Sequence, residues 1–159
     1  KDLTQVIDTE PTNAREILRR GAAFDLRGDV ARARKDFELA ASLEGPLQDT
    51  ARLYQAISWM RSGDARTARE LLATHRPDSK LNIWSHRLFG FCLSELSPDD
   101  LIKSAAGDDE RCEAFYFSGM MALIDGRHAE AQQAFESCIG TRRIHKLETS
   151  LARIRLDAR

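Results

Sequence analysis

The stretch Gly21-Ala22-Ala23-Phe24-Asp25-Leu26-Arg27-Gly28-Asp29-Val30-Ala31-Arg32-Ala33-Arg34-Lys35-Asp36-Phe37-Glu38-Leu39-Ala40 joins two helix-favouring runs through a Gly-Asp step. The same step returns at Gly63-Asp64, and a related one at Gly126-Arg127. The first interval, 35 residues from Gly28 to Gly63, is close to the roughly 34-residue period of a helix–turn–helix repeat. Around each glycine the same residue types recur at the same offsets. Ala33, Ala68 and Ala131 stand five beyond it; Phe37, Leu72 and Phe135 stand nine beyond. Gly21, Ala56 and Gly119, with little or no side chain, stand seven before.

Each offset has a physical reading. A glycine ends the first helix in the left-handed conformation it adopts without steric cost. The Asp after it accepts from free N–H groups opening the second helix. Small residues within the helices allow neighbours to approach to the close end of the 8–10 Å interaxial range. The large apolar residue fills the space between pairs. One hairpin cannot bury such a face alone, so neighbours must stack.

The stretches Gly21-x-x-Phe24-x-x-x-Gly28-Asp29-x-x-x-Ala33-x-x-x-Phe37-x-x-Ala40 and Gly119…Gly126…Ala131-x-x-x-Phe135-x-x-Cys138 resemble tetratricopeptide repeats of the bacterial type. The resemblance spans Ala14 to Gly140. Its first unit is the best match, with Pro46 near the family's usual proline. The second departs from it at Arg52, Gln55 and His75. A third, between Gly63 and Gly126, is degenerate: Gly90 is its candidate small contact residue, and its second helix is squeezed into Asp99–Ala106 after Pro98. The resemblance implies an all-α fold, a right-handed superhelical array of antiparallel helix pairs. Residues 1–13 form a leader, 14–140 about four hairpins, and 141–159 a C-terminal capping helix.

Composition agrees. Ala, Leu, Arg and Glu, all good helix formers, dominate the 159 residues. A 42% hydrophobic and 31% charged content suits a single globular helical domain and argues against disorder. The net charge of −1 gives no reason to expect nucleic acid or an anionic membrane, and no apolar run approaches a membrane span. The chain opens on Lys1 rather than Met, so either an upstream segment is removed in the cell or the sequence is a piece of a longer protein, and the compartment, cytoplasm or periplasm, stays open.

Helices are expected at about Ala14–Arg27, Val30–Leu43, Leu47–Ser62, Ala65–Thr74, Lys80–Leu96, Asp99–Ala106, Glu110–Ile124, Ala129–Ile139 and Ile144–Leu156. In the last, Leu147, Leu151 and Ile154 make one apolar stripe.

The family's geometry implies that the first helix of each pair lines a concave face. Leu18 and Ala22, then Leu53, Ile57 and Met60, then Trp84, Arg87 and Phe91, then Tyr116, Met120 and Leu123 would point into it. Such a face is mostly apolar and fits an amphipathic helix or extended peptide. Leu18 and Ala22 stand where carboxylate-binding members carry polar side chains, which disfavours that mode. Two other readings compete: these residues are simply core, or a second copy of the chain covers them.

Chemistry has little footing. His75, His86, His128 and His145 are scattered, and no H-E-x-x-H, Cys-x-x-Cys or phosphate-binding glycine loop occurs. No catalytic residue, metal or cofactor is therefore expected. Cys92, Cys112 and Cys138 are an odd count, so at least one is unpaired within the chain. Cys112 opens a helix and Cys138 helps close the next, so the two could come near each other; packing is the expected role, and a disulfide, which would favour an oxidising compartment, is the lesser alternative. Seven acidic residues between Glu95 and Glu113, and six basic ones from Arg142 onward, read as solvated faces and helix-end charges, or as docking sites for charged partners. The expected function is a non-catalytic adaptor or scaffold binding a protein or peptide. The alternative is a homodimerising structural or regulatory domain of a larger protein.

Overall fold

In a computed structural model, residues 13–158 are described, and among them the chain forms nine α-helices and no strand. These are α1 (Ala14–Leu26), α2 (Val30–Ser42), α3 (Gln48–Arg61), α4 (Ala65–Thr74), α5 (Ile83–Cys92), α6 (Pro98–Lys103), α7 (Asp108–Ile124), α8 (His128–Gly140) and α9 (Leu147–Asp157). The leader lies outside the described residues except for Asn13, whose side chain accepts from the Glu16 N–H and caps α1.

The turns are built as their residues dictate. Gly28, Gly63 and Gly126 have φ of +78°, +84° and +75°. At each, two N–H groups return to the closing helix: Asp29 to Phe24 O and Gly28 to Asp25 O, Asp64 to Trp59 O and Gly63 to Met60 O, Arg127 to Ala122 O and Gly126 to Leu123 O. Carbonyls that would otherwise be orphaned are satisfied by this doubly bonded cap. Asp29 and Asp64 then accept from the N–H of Arg32 and Thr67. Arg127 has no side-chain acceptor to do this, and makes ion pairs with Asp125 and Glu130 instead.

By its contacts the chain divides into two units, Lys1–His75 and Arg76–Arg159. In the first, α2 packs on α1 and α3, and α3 on α4. Gly21 explains how α1 and α2 come so close: a Cβ there would lie 2.8 Å from Phe37 Cε1 and 3.0 Å from Asp36 Cβ. Phe37 is buried and its ring centroid is 5.7 Å from that of Tyr54 on α3. Arg20 holds buried Asp36 through two bonds of 2.8 Å, and Arg61 of α3 pairs with Asp25 of α1. The Arg34 guanidinium lies 3.5 Å from the Trp59 ring centroid and donates to Ser58 O, fastening α2 to α3.

In the second unit α7 is central, touching α5, α6, α8 and α9. Gly119 repeats the Gly21 arrangement: a Cβ would meet Phe135 Cε1 at 2.6 Å. The third pair differs from expectation in three ways. Its helices are shorter, ending at Cys92 and Lys103. Its junction is Ser94, at φ +67°, with Glu95 N–H on Gly90 O and Ser94 N–H on Phe91 O, the same cap without a glycine. Gly90 makes room for an ion pair rather than a helix, since a Cβ there would lie 2.7 Å from the Arg76 guanidinium and 3.2 Å from Glu95 Oε2. The last helix starts three residues later than expected, because Arg142 turns left-handed at φ +57° and Ile144 stays exposed.

Candidate functional site

The residues assigned to a concave apolar face are largely inside. In the first unit Leu18, Ala22, Leu53, Ile57 and Met60 are all buried. In the second, Trp84, Phe91, Tyr116 and Met120 are buried, while Arg87 and Leu123 are half-buried. Polar ends are occupied within the unit: Trp84 Nε1 donates to Glu113 Oε2 at 2.7 Å, and Arg87 donates to Ser104 O at 3.0 Å. Tyr116 stacks near Phe117 and Phe135, with centroids 5.5 and 6.0 Å away. The periodicity of α3 and α7 carries apolar residues on more than one face, and those faces are filled by neighbouring side chains.

An accessible cleft lies elsewhere in the first unit, on α1 and α2. It has a volume of about 550 Å³ and is lined by Arg20, Phe24, Arg32, Lys35, Asp36, Glu38, Leu39 and Ser42. Phe24 and Leu39 are its apolar lining; Phe24 is itself buried, and Leu39 is 45% exposed. The Arg32 guanidinium lies 4.5 Å from the Phe24 ring centroid while also pairing with Asp29. That pairing holds the Asp29 carboxyl below the usual carboxylate range, the Arg32 side chain acting first and its backbone N–H second. Lys35 and Glu38, both exposed, put a charge of each sign at the mouth. In sequence Leu39 is only a helix position and Phe24 only a repeat-motif position, because nothing there tells which face of the first pair stays uncovered.

A polar cluster is enclosed in the second unit, between α7, α8 and α9. Cys112 Sγ lies 3.2 Å from Cys138 Sγ and 3.2 Å from Thr149 Oγ1. Thr149 Oγ1 donates to Arg143 O at 2.8 Å, so the Cys112 S–H donates to Thr149 and the Cys138 S–H to Cys112. The shared proton pushes the two thiols apart in acidity. Cys112 is lowered, first by the Cys138 hydrogen bond against the opposing effect of burial, then by Thr149, Thr141 and the Lys146 charge. Cys138 is raised, first by Cys112 and then by burial. Glu148, at the start of α9, is buried and pushed up to about 7, by desolvation and then by the charge of Glu113. Lys146 pairs with Glu113 and is raised despite burial, which acts the other way. Burial alone pushes the third thiol, Cys92, up to about 12.

The charged stretches partly answer each other, through Arg143 with Asp109 and Lys146 with Glu113. His86 Nδ1 is 2.8 Å from Pro77 O, a structural hydrogen bond. Among the described residues no group of three or more His, Cys, Asp or Glu is placed to hold a metal ion. No helix among them is long and apolar enough to cross a membrane. No protein-family model matches the chain, and no curated protein or solved structure shows significant similarity to it.

Proposed function

We propose that this chain is a non-catalytic protein-interaction module, a tetratricopeptide-like array of helix pairs that captures a peptide or helix from a partner. The observation that carries the reading is the matched construction of its helix pairs. Gly21 against Phe37 and Gly119 against Phe135 repeat one close contact, and the same doubly bonded cap closes the turns at Gly28, Gly63 and Gly126. Repeated pairs of this kind leave helix faces free for partners.

The face that supports the reading best is the α1–α2 cleft, not the apolar residues of the inner helices. Leu39 and Phe24 offer an apolar seat, and Lys35 and Glu38 offer charges to orient an amphipathic segment. A photo-crosslinking side chain at position 39, with a control at exposed position 66 on α4, tests this in the organism's own extract. A discrete heterologous adduct is expected at 39 alone, lost when Lys35 becomes Glu. Equal adducts at both positions, or none, overturn the reading; an adduct of twice the chain's own mass replaces it with self-association. Lys35→Glu should remove the adduct while changing stability by less than about 0.5 kcal/mol, as an exposed substitution does.

A further inference from the structure

We propose that Cys112 and Cys138 are a redox-active dithiol that closes to an intramolecular disulfide under hydroperoxide, locking α7 to α8 beneath α9. The two sulfurs are 3.2 Å apart, so bond formation needs a movement of about 1 Å to reach the roughly 2.05 Å of a disulfide. They sit at the open end of the α7–α8 pair, opposite the Gly126 turn, so the new bond closes a loop that the turn closes at its other end. The equivalent positions of the first pair are Ala14 and Ala40, each 98 residues earlier, which shows that the packing of this frame does not itself require sulfur.

The surroundings divide the labour between the two sulfurs. Cys112 accepts from the Cys138 thiol at 3.2 Å and has the Lys146 ammonium as a nearby charge, so it is the sulfur that carries the negative charge. In the reaction the Cys112 thiolate attacks one peroxide oxygen, the O–O bond breaks, and hydroxide leaves to become water. Cys112 is now a sulfenic acid. Cys138 attacks its sulfur, the S–O bond breaks, and a second water leaves with the Cys138 proton. Two thiols and one hydroperoxide molecule give one disulfide and two waters. Both thiols are fully buried, and the element over them is α9, the last helix described, whose Thr149 is in direct contact with Cys112. Local opening of a peripheral helix is the route by which a molecule as small as hydrogen peroxide enters.

The experiment treats the full chain with hydrogen peroxide, blocks remaining thiols in denaturant, and digests with trypsin without reductant. The expected product links residues 112–127 to residues 128–142, is lost on reduction, and leaves Cys92 alkylated. Oxidised protein should melt roughly 5–10 °C above the reduced form, as closure of a loop of this length implies. Cys138→Ser should instead stop at a sulfenic acid on Cys112, trapped by dimedone, and its melting temperature should not respond to reductant. Cys138→Ala serves the same purpose if the serine variant does not fold. Free Cys112 and Cys138 after treatment, a bond to Cys92, a bond between two chains, or Cys112 carried on to sulfinic acid would each overturn the proposal.

Discussion

The pairs α1–α2 and α7–α8 share one frame, related by a shift of 98 residues, and differ in the chemistry placed on it. The shift carries Gly21 to Gly119, Gly28 to Gly126, Ala33 to Ala131 and Phe37 to Phe135. These four positions set helix approach, turn and filling, and all four keep their role. Elsewhere on the frame the residues diverge. The half-buried Arg20–Asp36 ion pair becomes Ser118 and Ala134, and Ser118 Oγ is a buried hydroxyl with no hydrogen-bond partner among the described residues. Ala14 and Ala40 become Cys112 and Cys138. The first pair thus spends its polarity on an ion pair beside an open cleft, and the other encloses its polarity under α9. Backbone close approach constrains residue type tightly; the ends and outer faces of the same helices are free to take on different chemistry.

The largest effect should come from emptying the shared frame. Phe37→Ala and Phe135→Ala each remove a fully buried ring seated on a glycine, and each should cost about 3–5 kcal/mol by chemical denaturation. Equal losses would confirm that the two pairs depend on the frame alike. A much smaller loss at Phe135 would mean that α9 and the thiol cluster support the fourth pair independently. Because the chain forms two units, a biphasic transition in one variant would assign the loss to the unit that holds it.

Next in size is a pH effect confined to the second unit. Glu148 is neutral in the fold up to about pH 7 but ionises near 4.5 when unfolded. Between those values the unfolded chain has released a proton that the folded chain keeps, so stability falls as pH rises and levels off above 7. The groups facing it decide the slope: Glu113 and Cys112 oppose its charge, whereas Lys146 favours it. The shift corresponds to a loss of about 3 kcal/mol across that window. Glu148→Gln should flatten the dependence, most visibly in melting curves at pH 4.5 and 7.5. An unchanged pH profile would show that Glu148 is ionised in place and that Lys146 holds it.

What could be read from residues and what could not follows from how each feature is encoded. Gly28, Gly63 and Gly126 announced their turns because glycine is the residue type that a left-handed position favours, and the helices on either side followed to within one or two residues. Ser94 makes the same turn in a residue type that gives no such signal, so the sequence overstates the length of the third pair's helices, and the space beside Gly90 goes to Arg76 and Glu95 rather than to a helix. Proximity of Cys112 and Cys138 was legible from their places at the ends of consecutive helices. Inside and outside were not. Leu53, Ile57, Tyr116 and Met120 carry the same helical periodicity whether they line a groove or a core, and only packing decides that they are buried. The α1–α2 cleft is the converse case, an open face whose exposed Leu39 looks in sequence like ordinary core, while Phe24 beneath it is buried.

The smallest effect distinguishes the glycine turns from the serine turn. Ser94 holds φ at +67°, a conformation that costs a residue with a Cβ about 1 kcal/mol and costs glycine nothing. Ser94→Gly should therefore stabilise the second unit by up to about 1 kcal/mol, offset in part by the greater freedom of glycine in the unfolded chain. Gly126→Ala, in the same unit and at the same position of the same cap, should destabilise it by about as much. Space is not at issue at Gly126, where an added Cβ meets nothing within 4 Å, so any loss there reports the backbone alone. Measured together by denaturant midpoint, the two substitutions should move in opposite directions. If Ser94→Gly destabilises as well, the serine side chain makes a contact worth more than its backbone strain, and the third turn is a specialised one rather than a degenerate copy of the others.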